Sequence, residues 1–551
     1  MEEHSTDIEE FVRKHHKQLN FISDKSVWNR IKESILIFGI LNLIWFILRT
    51  GKKPTRITYP CQQAALNNIS MSASSILASI SLSVIIVNVK KFSNLGKVIV
   101  LSLLILSPIS TAVILQTTAS TSEINIPLNP QIAEEQPSSD IYLVNGRDVA
   151  HIDNLIDLMG SNNLNFYQSV IFENNTSPDG LIAADDVVLI KNNCQWDKRG
   201  GTNTDLLKEL IEAIIAHPDG FSGEIVIADN GQGRGSMDWK YNNAEDKLQS
   251  VREVVEMFSS EYKVSAYLWD NIRDIEVTEF SEGNMNDGYV VNSTADAETE
   301  INVTYPKFTT VYGTKISFKH GIWNGTHYEN KLKVINTPIL KSHSGFGVTA
   351  SMKHYMGVQS QPLGDGHHRI DTGGMATLMV ELGLPTLNIL DAIWINANPE
   401  SSSSEGPDTD YNEATRVNMI LASLDPIALD YWAAKYILLN VSKIAGYTNP
   451  YSLDPESTND AGLEEAFGIW LNNSLAEFFR EGYSFTNDEM QINVFANSEI
   501  LEIEVLGRDY TIWVVVGSIC SGLLLTAVVT LAILIRKGII KIKRQKEVSG
   551  N

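Results

Sequence analysis

Short apolar segments alternate with amphipathic segments along the middle of the chain, and this alternation limits the fold more than any other feature. Strands are predicted at residues 186–191, 224–228 and 264–268, and helices at residues 205–217 and 244–258. A repeat of strand, loop and helix is typical of a mostly parallel sheet with helices on both faces. The sequence therefore predicts an α/β fold whose functional groups lie in the loops that follow the strands.

A second block of the same alternation follows an insertion. Residues 280–330 are polar and acidic and contain an Asn-Asp-Gly turn signal, which predicts a β-rich insertion. The later elements are predicted strands at residues 333–340 and 386–394, and predicted helices at residues 373–382, 413–422, 426–439 and 462–479. We expect the two blocks to form one sheet.

Residues 334–357, VINTPILKSHSGFGVTASMKHYMG, carry the strongest signal of a functional site. An apolar strand ends here in a turn with two glycines, and the turn is surrounded by Lys341, His343, Lys353 and His354. Ligands of open α/β sheets bind beyond the carboxyl ends of the strands. We predict that Lys341 and Lys353 bind a small anionic ligand there and that His343 moves a proton. The alternative is a surface loop with solvated side chains.

Aspartates at the ends of other predicted strands are candidate partners for this site. Asp229 ends a strand before the glycine-rich loop NGQGRG, and Asp391 closes the strand in TLNILDAIW. Together with Asp430, these two carboxylates would form an acid/base or divalent-metal site beside the lysine and the histidine. Whether the groups meet in space is not determined by the sequence.

Two further signals have structural alternatives. Asp425 precedes a proline at a predicted helix start, where a carboxylate is a good N-cap. His367 and His368 resemble a pair of metal ligands only superficially, because adjacent side chains need a special loop to converge on one ion. Both signals are therefore weaker than the lysine and histidine block.

The charge distribution argues against a nucleic-acid partner. The chain of 551 residues has a formal net charge of −23, and its acidic residues are concentrated between residues 120 and 509. Binding to nucleic acid needs clustered Lys and Arg that displace counterions from phosphates.

Four apolar stretches predict membrane segments. Residues 510–535 contain no charged residue and are long enough to cross a hydrocarbon core of about 30 Å. Residues 69–89 and 98–115 predict two further spans, and residues 35–48 predict either a fourth span or an interfacial helix. The basic tail at residues 536–551 is predicted to be cytoplasmic. The sequence thus predicts a multi-pass protein of the cell membrane, with the lipid bilayer as a partner and its main domain extracytoplasmic.

These segments divide the chain into five predicted regions. They are a membrane region at residues 1–119, a linker at 120–139, an α/β domain at 140–509, a membrane span at 510–535 and the tail at 536–551. The linker assignment follows from its proline and serine content.

Three cysteines limit the cofactors that the chain can hold. Cys520 lies within a predicted membrane span, which leaves Cys61 and Cys194 as free thiols or as one disulfide. The chain cannot by itself supply a four-cysteine iron–sulfur cluster. The cofactor is therefore open, and a divalent metal is compatible with the aspartates.

Seven motifs resemble, in their order, the family called domain of unknown function 362. They are VVLIKNN (187–193), TNTD (202–205), IVIADNGQG (225–233), INTPILKSHSGFGVTASMKHYMG (335–357), LNILDAIW (387–394), GP (406–407) and ILASLDPIALDYWAAKYI (420–437). The resemblance covers about residues 185–440, and its specific parts are the Lys-x-His block and the DP-x-A-x-D helix start. Members of this family are often joined to ferredoxin-like modules, which implies a link to redox metabolism, and this sequence lacks such a module.

The resemblance implies functional roles for the matched positions. These are Lys191, Asn193, Thr204, Asp229, Lys341, His343, Thr349, Lys353, Asp391, Asp425 and Asp430. Three functions fit them: an enzyme that acts on a small anion with catalytic Lys341, His343 and Asp391, a module that binds an anion or metal without turnover, and a structural surface element. A concave pocket that gathers these side chains would exclude the third.

Overall fold

The computed structural model describes residues 122–127, 139–145, 152–171, 175–364, 366–399, 409–411, 413–459, 466–497 and 500–505. Its strands are β1 (Ser122–Pro127), β2 (Ser139–Asn145), β3 (Tyr167–Gln168), β4 (Thr176–Ser177), β5 (Ile182–Ala183), β6 (Val187–Lys191), β7 (Glu224–Asp229), β8 (Val264–Leu268), β9 (Gly288–Val291), β10 (Thr304–Thr309), β11 (Lys315–Ser317), β12 (Gly321–Trp323), β13 (Tyr328–Glu329), β14 (Leu332–Asn336), β15 (Ile339–His343), β16 (Gly347–Thr349), β17 (Leu387–Asn396), β18 (Thr415–Ser423), β19 (Ile492–Ala496) and β20 (Ile500–Val505).

The helices are short, and in the sequence they connect strands of the large sheet. They are α1 (Ile152–Ser161), α2 (Thr204–Ile215), α3 (Val251–Phe258), α4 (Ser351–His354), α5 (Gly374–Leu382), α6 (Pro426–Trp432), α7 (Leu439–Ile444) and α8 (Phe467–Arg480). A π-helical segment, Ala433–Leu438, joins α6 to α7. Side-chain caps stabilise several of these helices; Asn203 caps α2 and Ser250 forms a capping box with Glu253 on α3.

The large sheet is mixed, which corrects the predicted mostly parallel arrangement. Its strand order is β19-β2-β18-β17-β14-β6-β7-β8, and the five strands from β17 to β8 are parallel. Strand β18 runs antiparallel to both of its neighbours, β17 and β2, and β16 pairs antiparallel with β15. Separately, β9 to β13 form an antiparallel sheet of five strands within residues 288–329.

Strand β18 accounts for much of the difference from the prediction. Residues 413–422 were predicted as a helix, because Met, Leu and Ala favour helices. Instead, this segment pairs on both sides within the sheet and is almost entirely buried. Pairing with β2, a distant segment in the sequence, outweighs the local propensity.

Both faces of the parallel strands are covered by apolar side chains. Along β6, Val187 and Leu189 belong to one hydrophobic cluster, whereas Val188 and Ile190 belong to a second cluster on the other face. Successive side chains of a strand point to opposite faces, so a strand that is buried on both sides is apolar throughout. The carboxyl ends of β6, β7 and β14 consequently open at one edge of a rigid, two-sided core.

No helix within the described ranges is long and apolar enough to cross a membrane. This finding corrects the predictions of flanking transmembrane helices and of a multi-pass, outward-facing location in the cell membrane. The segments on which those predictions rested, residues 35–48, 69–89, 98–115, 510–535 and the tail 536–551, lie outside the described residues. Within the predicted linker, residues 122–127 form β1, which pairs antiparallel with β20.

The hairpin of β15 and β16 carries the lysine and histidine block. Its turn depends on Gly347, whose φ of +75° lies in the left-handed region. A Cβ at this position would lie 2.2 Å from the carbonyl oxygen of Ser452. The glycine therefore permits both the backbone conformation and the close approach of the segment that covers the hairpin.

We expect Gly347→Ala to destabilise the fold more than Gly383→Ala does. Gly383 also has a positive φ, +87°, but a Cβ there would have no heavy atom within 4 Å, so its substitution costs about 1–2 kcal/mol of backbone strain. The steric clash at Gly347 should add about 1–3 kcal/mol. Urea unfolding of both variants measures the difference, and equal losses of stability would contradict the expected clash.

Candidate functional site

A buried ion pair joins the ends of two neighbouring strands. Lys191 ends β6 and Asp229 ends β7, and the Lys191 Nζ lies 2.7 Å from the Asp229 Oδ1. The other carboxylate oxygen, Oδ2, accepts the backbone N–H of Cys194 at 2.8 Å. Cys194 itself is a buried free thiol. The parallel pairing of β6 and β7 places these residues side by side, as the strand-end rule predicts.

His354 connects this pair to the hairpin. Its Nε2 lies 3.0 Å from the Lys191 Nζ, and its Nδ1 lies 2.7 Å from the Asn336 Oδ1. The Asn336 Nδ2 donates to the Asn388 Oδ1 at 2.9 Å, so the Asn336 oxygen is the acceptor. This network assigns the proton of His354 to Nδ1 and leaves Nε2 to accept from the lysine.

Burial lowers the pKa of both basic side chains in this network, Lys191 and His354. Burial lowers the pKa of Lys191, while the charge of Asp229 opposes that effect. Burial, followed by the charge of Lys191, also lowers the pKa of His354 well below its usual range, so this imidazole is neutral. The three N–H groups of Lys191 have partners in Asp229, His354 and the carbonyl of Asn192. Lys191 therefore supplies charge rather than a free donor.

Gly357 lets the chain pass directly over the ion pair. A Cβ at Gly357 would lie 2.6 Å from the Asp229 Oδ1 and 2.7 Å from the Lys191 Nζ. The backbone of this residue also accepts the N–H of Asn230 at 3.1 Å, just beyond β7. The segment after α4 is thus fixed against the strand ends.

A space of about 490 Å³, named the cavity, opens at this edge of the sheet. It is lined by Lys191, Asn193, Gln195, Trp196, Asp229, Asn230, Gln232, Arg234, Lys341, His343, Ser344, Gly345, Phe346, Thr349, Lys353, His354, Met356, Gly357, Gln361, His367 and His368. Among these residues, Lys191, Arg234, Lys341 and Lys353 carry a positive charge, and Asp229 carries a negative charge. The cavity lining is therefore cationic in a chain whose net charge is −23.

Lys341 and His343 lie on β15 at the wall of the cavity. Lys341 is buried, and its Nζ donates to the carbonyl oxygen of Gly200 at 2.6 Å, which ties the loop after β6 to the hairpin. His343 accepts the N–H of Gly345 at its Nδ1, 3.0 Å away, so in the neutral ring the Nε2 carries the proton. Burial and the charges of Lys353, His367 and Lys341 lower the pKa of His343 well below its usual range. This imidazole is therefore a neutral hydrogen-bond donor.

Thr349 and Lys353 complete the same wall. Thr349 lies on β16 opposite Lys341 and is 6% exposed, and its Oγ1 has no hydrogen-bond partner in the part of the chain that the structure describes. A buried hydroxyl without a partner is unfavourable, so a ligand that pairs with it is favoured. The Lys353 Nζ lies 5.5 Å from the centre of the Phe346 ring.

Asp430 positions this wall without lining the cavity. Its two oxygens accept the N–H groups of Ser351 at 2.7 Å and Met352 at 2.9 Å, which begin α4. Burial raises the pKa of Asp430 to about 7. Since α4 carries Lys353 and His354, the carboxylate fixes the direction in which these two side chains point.

Three other predicted site residues also lie outside the cavity lining. Asp391 accepts the N–H groups of Asn203 and Ile393, at 2.8 and 3.0 Å, and so holds the loop before α2. Thr204 donates its hydroxyl to the carbonyl of Gln249, and Asp425 caps α6. The predicted catalytic role of Asp391 and the ligand-binding roles of the other two therefore do not enter the proposed function. Asp391 lies in the middle of β17, not at the end of a strand as predicted. Backbone N–H groups at helix starts need acceptors of this kind.

The described residues contain no group of three or more His, Cys, Asp or Glu side chains that could hold a metal ion. The predicted cluster of Asp229, Asp391 and Asp430 does not form, because the last two carboxylates are bound to backbone N–H groups elsewhere. His367 and His368 line the cavity as neighbours of the lysines.

Several cavity residues were not among the predicted site residues. Trp196 and Arg234 lie on the loops after β6 and β7, with the guanidinium 5.5 Å from the indole ring. His354 contacts Lys191, and Asn336, which lies outside the cavity lining, fixes the ring of His354. The sequence places His354 beside Lys353 in the lysine and histidine block, and Asn336 is the last residue of β14, where the strand-end rule could have indicated it.

Residues 324–435 match the family model described as "Domain of unknown function (DUF362)". This match confirms the resemblance predicted from the motifs, and it covers the segment with the hairpin, α4 and the DP-x-A-x-D helix start. No curated protein matches the chain. No solved structure matches it either.

We expect Asp391→Asn to lower stability in a pH-dependent way. The amide would place an N–H group against a backbone N–H donor, at a cost of about 1–3 kcal/mol. Burial raises the pKa of Asp391 in the folded state to about 7, so the folded protein binds this proton more tightly than the unfolded chain does. The contribution of Asp391 to the free energy of unfolding is therefore fully present below the pKa that this residue has in the unfolded chain. It is lost as the pH rises through about 7, the pKa in the folded state.

Urea unfolding of the wild type and the variant at pH 5.5 and pH 8 measures this effect. The free energy of unfolding of the wild type should exceed that of the variant by more at pH 5.5 than at pH 8. A stability difference that is equal at both pH values, or larger at pH 8, would show that the carboxylate is ionised throughout.

Proposed function

We propose that the cavity binds a small molecule that carries an oxyanion group, a phosphate or a carboxylate. One observation supports this proposal above all: four cationic side chains and a single carboxylate line the cavity in an otherwise acidic protein. Because the cavity is partly enclosed by protein, charge interactions there are screened less than at an open surface.

The wall formed by the hairpin and α4 offers both kinds of group that an oxyanion needs. Lys341 and Lys353 supply positive charge, and the hydroxyl of Thr349 and the Nε2–H of His343 supply neutral donors. Charge-assisted hydrogen bonds of this kind are stronger than neutral ones. The ion pair of Lys191 and Asp229 forms the fixed floor against which the ligand would lie.

An enzyme is the first form of this function. Ionisable groups with shifted pKa values gather in one cleft, as they do in active sites. A neutral His343 beside two lysines can stabilise negative charge that develops on a bound substrate, by donating its Nε2–H. In this form the lysines hold the substrate, and the imidazole acts as an electrophile or a proton donor.

A binding module without turnover is the second form, and a different observation favours it. Both oxygens of Asp229, both ring nitrogens of His354 and the Nδ1 of His343 already have partners within the protein. Besides His367 and His368, these are the groups of the cavity wall that could accept a proton. Their occupation favours rigid recognition over general-base catalysis.

Titration calorimetry with inorganic phosphate and with acetate tests the proposed binding. Lys341→Met and Lys353→Met keep the volume of the apolar stems and remove the charge, so each should weaken binding about tenfold or more. Lys263→Met is the matched control, because Lys263 is exposed and precedes β8 at the opposite end of the strand. Binding of the wild type should weaken as NaCl increases.

Two results would contradict the proposal. The first is that the folded wild type binds neither anion at millimolar concentration. The second is that the two cavity variants bind as well as Lys263→Met does, which would place the anion elsewhere on the surface.

Incubation with a defined mixture of phosphorylated and carboxylated metabolites separates the two forms of the function. For an enzyme, mass spectrometry should show that the wild type consumes at least one component, and that Lys341→Met consumes it at least tenfold more slowly. A component that is retained by the wild type and recovered unaltered would instead support the binding module.

A further inference from the structure

A second, smaller space of about 210 Å³, named the chamber, adjoins the cavity. It is lined by Gln232, Met356, Gln359, Gln361, Gly364, Gly366, His367 and His368, and five of these residues also line the cavity. The shared residues form the passage between the two, so one ligand can extend from the cavity into the chamber.

The chamber differs from the cavity in charge. None of its described lining residues is a lysine, arginine, aspartate or glutamate, and three are glutamines. Carboxamides are neutral and present both donors and acceptors, so they suit hydroxyl and amide groups rather than ions. The electrostatics therefore divide the site into a cationic part and a neutral polar part.

Gln359 is the residue that indicates a ligand in the chamber. It is 2% exposed, and its Nε2 donates to the carbonyl oxygen of Asn302 at 2.5 Å, which fixes the orientation of the amide. Its Oε1 has no hydrogen-bond partner among the described residues. A buried acceptor in this state is unfavourable until a donor reaches it.

Glycine at position 366 leaves the space beside this buried oxygen unfilled. A Cβ on Gly366 would lie 1.9 Å from the Gln359 Oε1, which is far inside van der Waals contact. The backbone carbonyl oxygen of Gln359 accepts a hydrogen bond from the Asn230 Nδ2 at 2.8 Å, and Asn230 lines the cavity. The acceptor is thus held at a fixed distance from the cationic wall.

We propose that the ligand has two parts, an oxyanion head in the cavity and an uncharged hydroxylated tail in the chamber, where a hydroxyl donates to the Gln359 Oε1. This inference deepens the proposed function and rests on it. It identifies the substrate class as sugar phosphates or sugar acids, which share a charged head and a chain of hydroxyl groups.

The test compares probes that share a head and differ in the tail. Calorimetry gives dissociation constants for inorganic phosphate and ribose 5-phosphate, and for acetate and gluconate. The wild type should bind the hydroxylated member of at least one pair about tenfold more tightly, the gain of one good hydrogen bond.

Gln359→Met and Gly366→Ala should remove this gain and leave the affinity for phosphate and acetate unchanged. Gly446→Ala is the control outside the chamber lining: a Cβ there meets no heavy atom within 4 Å, so its φ of +69° adds backbone strain alone.

The outcomes separate this inference from the function on which it rests. If the wild type binds the heads but gains nothing from either tail, or if the gain survives in both folded chamber variants, the two-part ligand is wrong and the anion site stands. If the wild type binds none of the four probes, the proposed function fails and this inference fails with it. The comparison within the wild type decides the matter even if a variant does not fold.

Discussion

The buried pair of Lys191 and Asp229 is the interaction on which the site depends. Two charges removed from water are tolerated only when their geometry is good and their remaining hydrogen-bond positions are filled. Asn192, Cys194 and His354 fill those positions, and Gly357 allows the chain to close over them. The pair therefore forces β6, β7 and α4 into one arrangement, and the cavity is the space that this arrangement leaves.

A second carboxylate, Asp430, extends this constraint to the cavity wall formed by the hairpin and α4. It binds the start of α4 from the neighbouring helix α6, so the direction of Lys353 depends on a residue far away in the sequence. Lys341 fixes the other side by its bond to Gly200. The cationic groups are consequently held apart from one another by backbone contacts, and a bound anion would relieve their mutual repulsion.

Much of the site could be predicted because of one geometric rule. Seven predicted positions line the cavity: Lys191, Asn193, Asp229, Lys341, His343, Thr349 and Lys353. Six lie at or near the ends of β6, β7, β15 and β16, and Lys353 lies on the helix α4 that follows. Asp391 lies in the middle of β17 and Asp425 stands at the start of α6, and both bind backbone N–H groups. A carboxylate at such a place serves either purpose, and the local sequence is the same in both cases.

The sequence by itself determined which segments are strands buried on both faces and which polar residues stand at their ends, because both follow from local composition and order. Tertiary structure alone decided that β18 is a strand, since its partners β2 and β17 are distant in the chain. It also decided that His343 and His354 are neutral, because the pKa of an imidazole depends on burial and on charges brought from other segments.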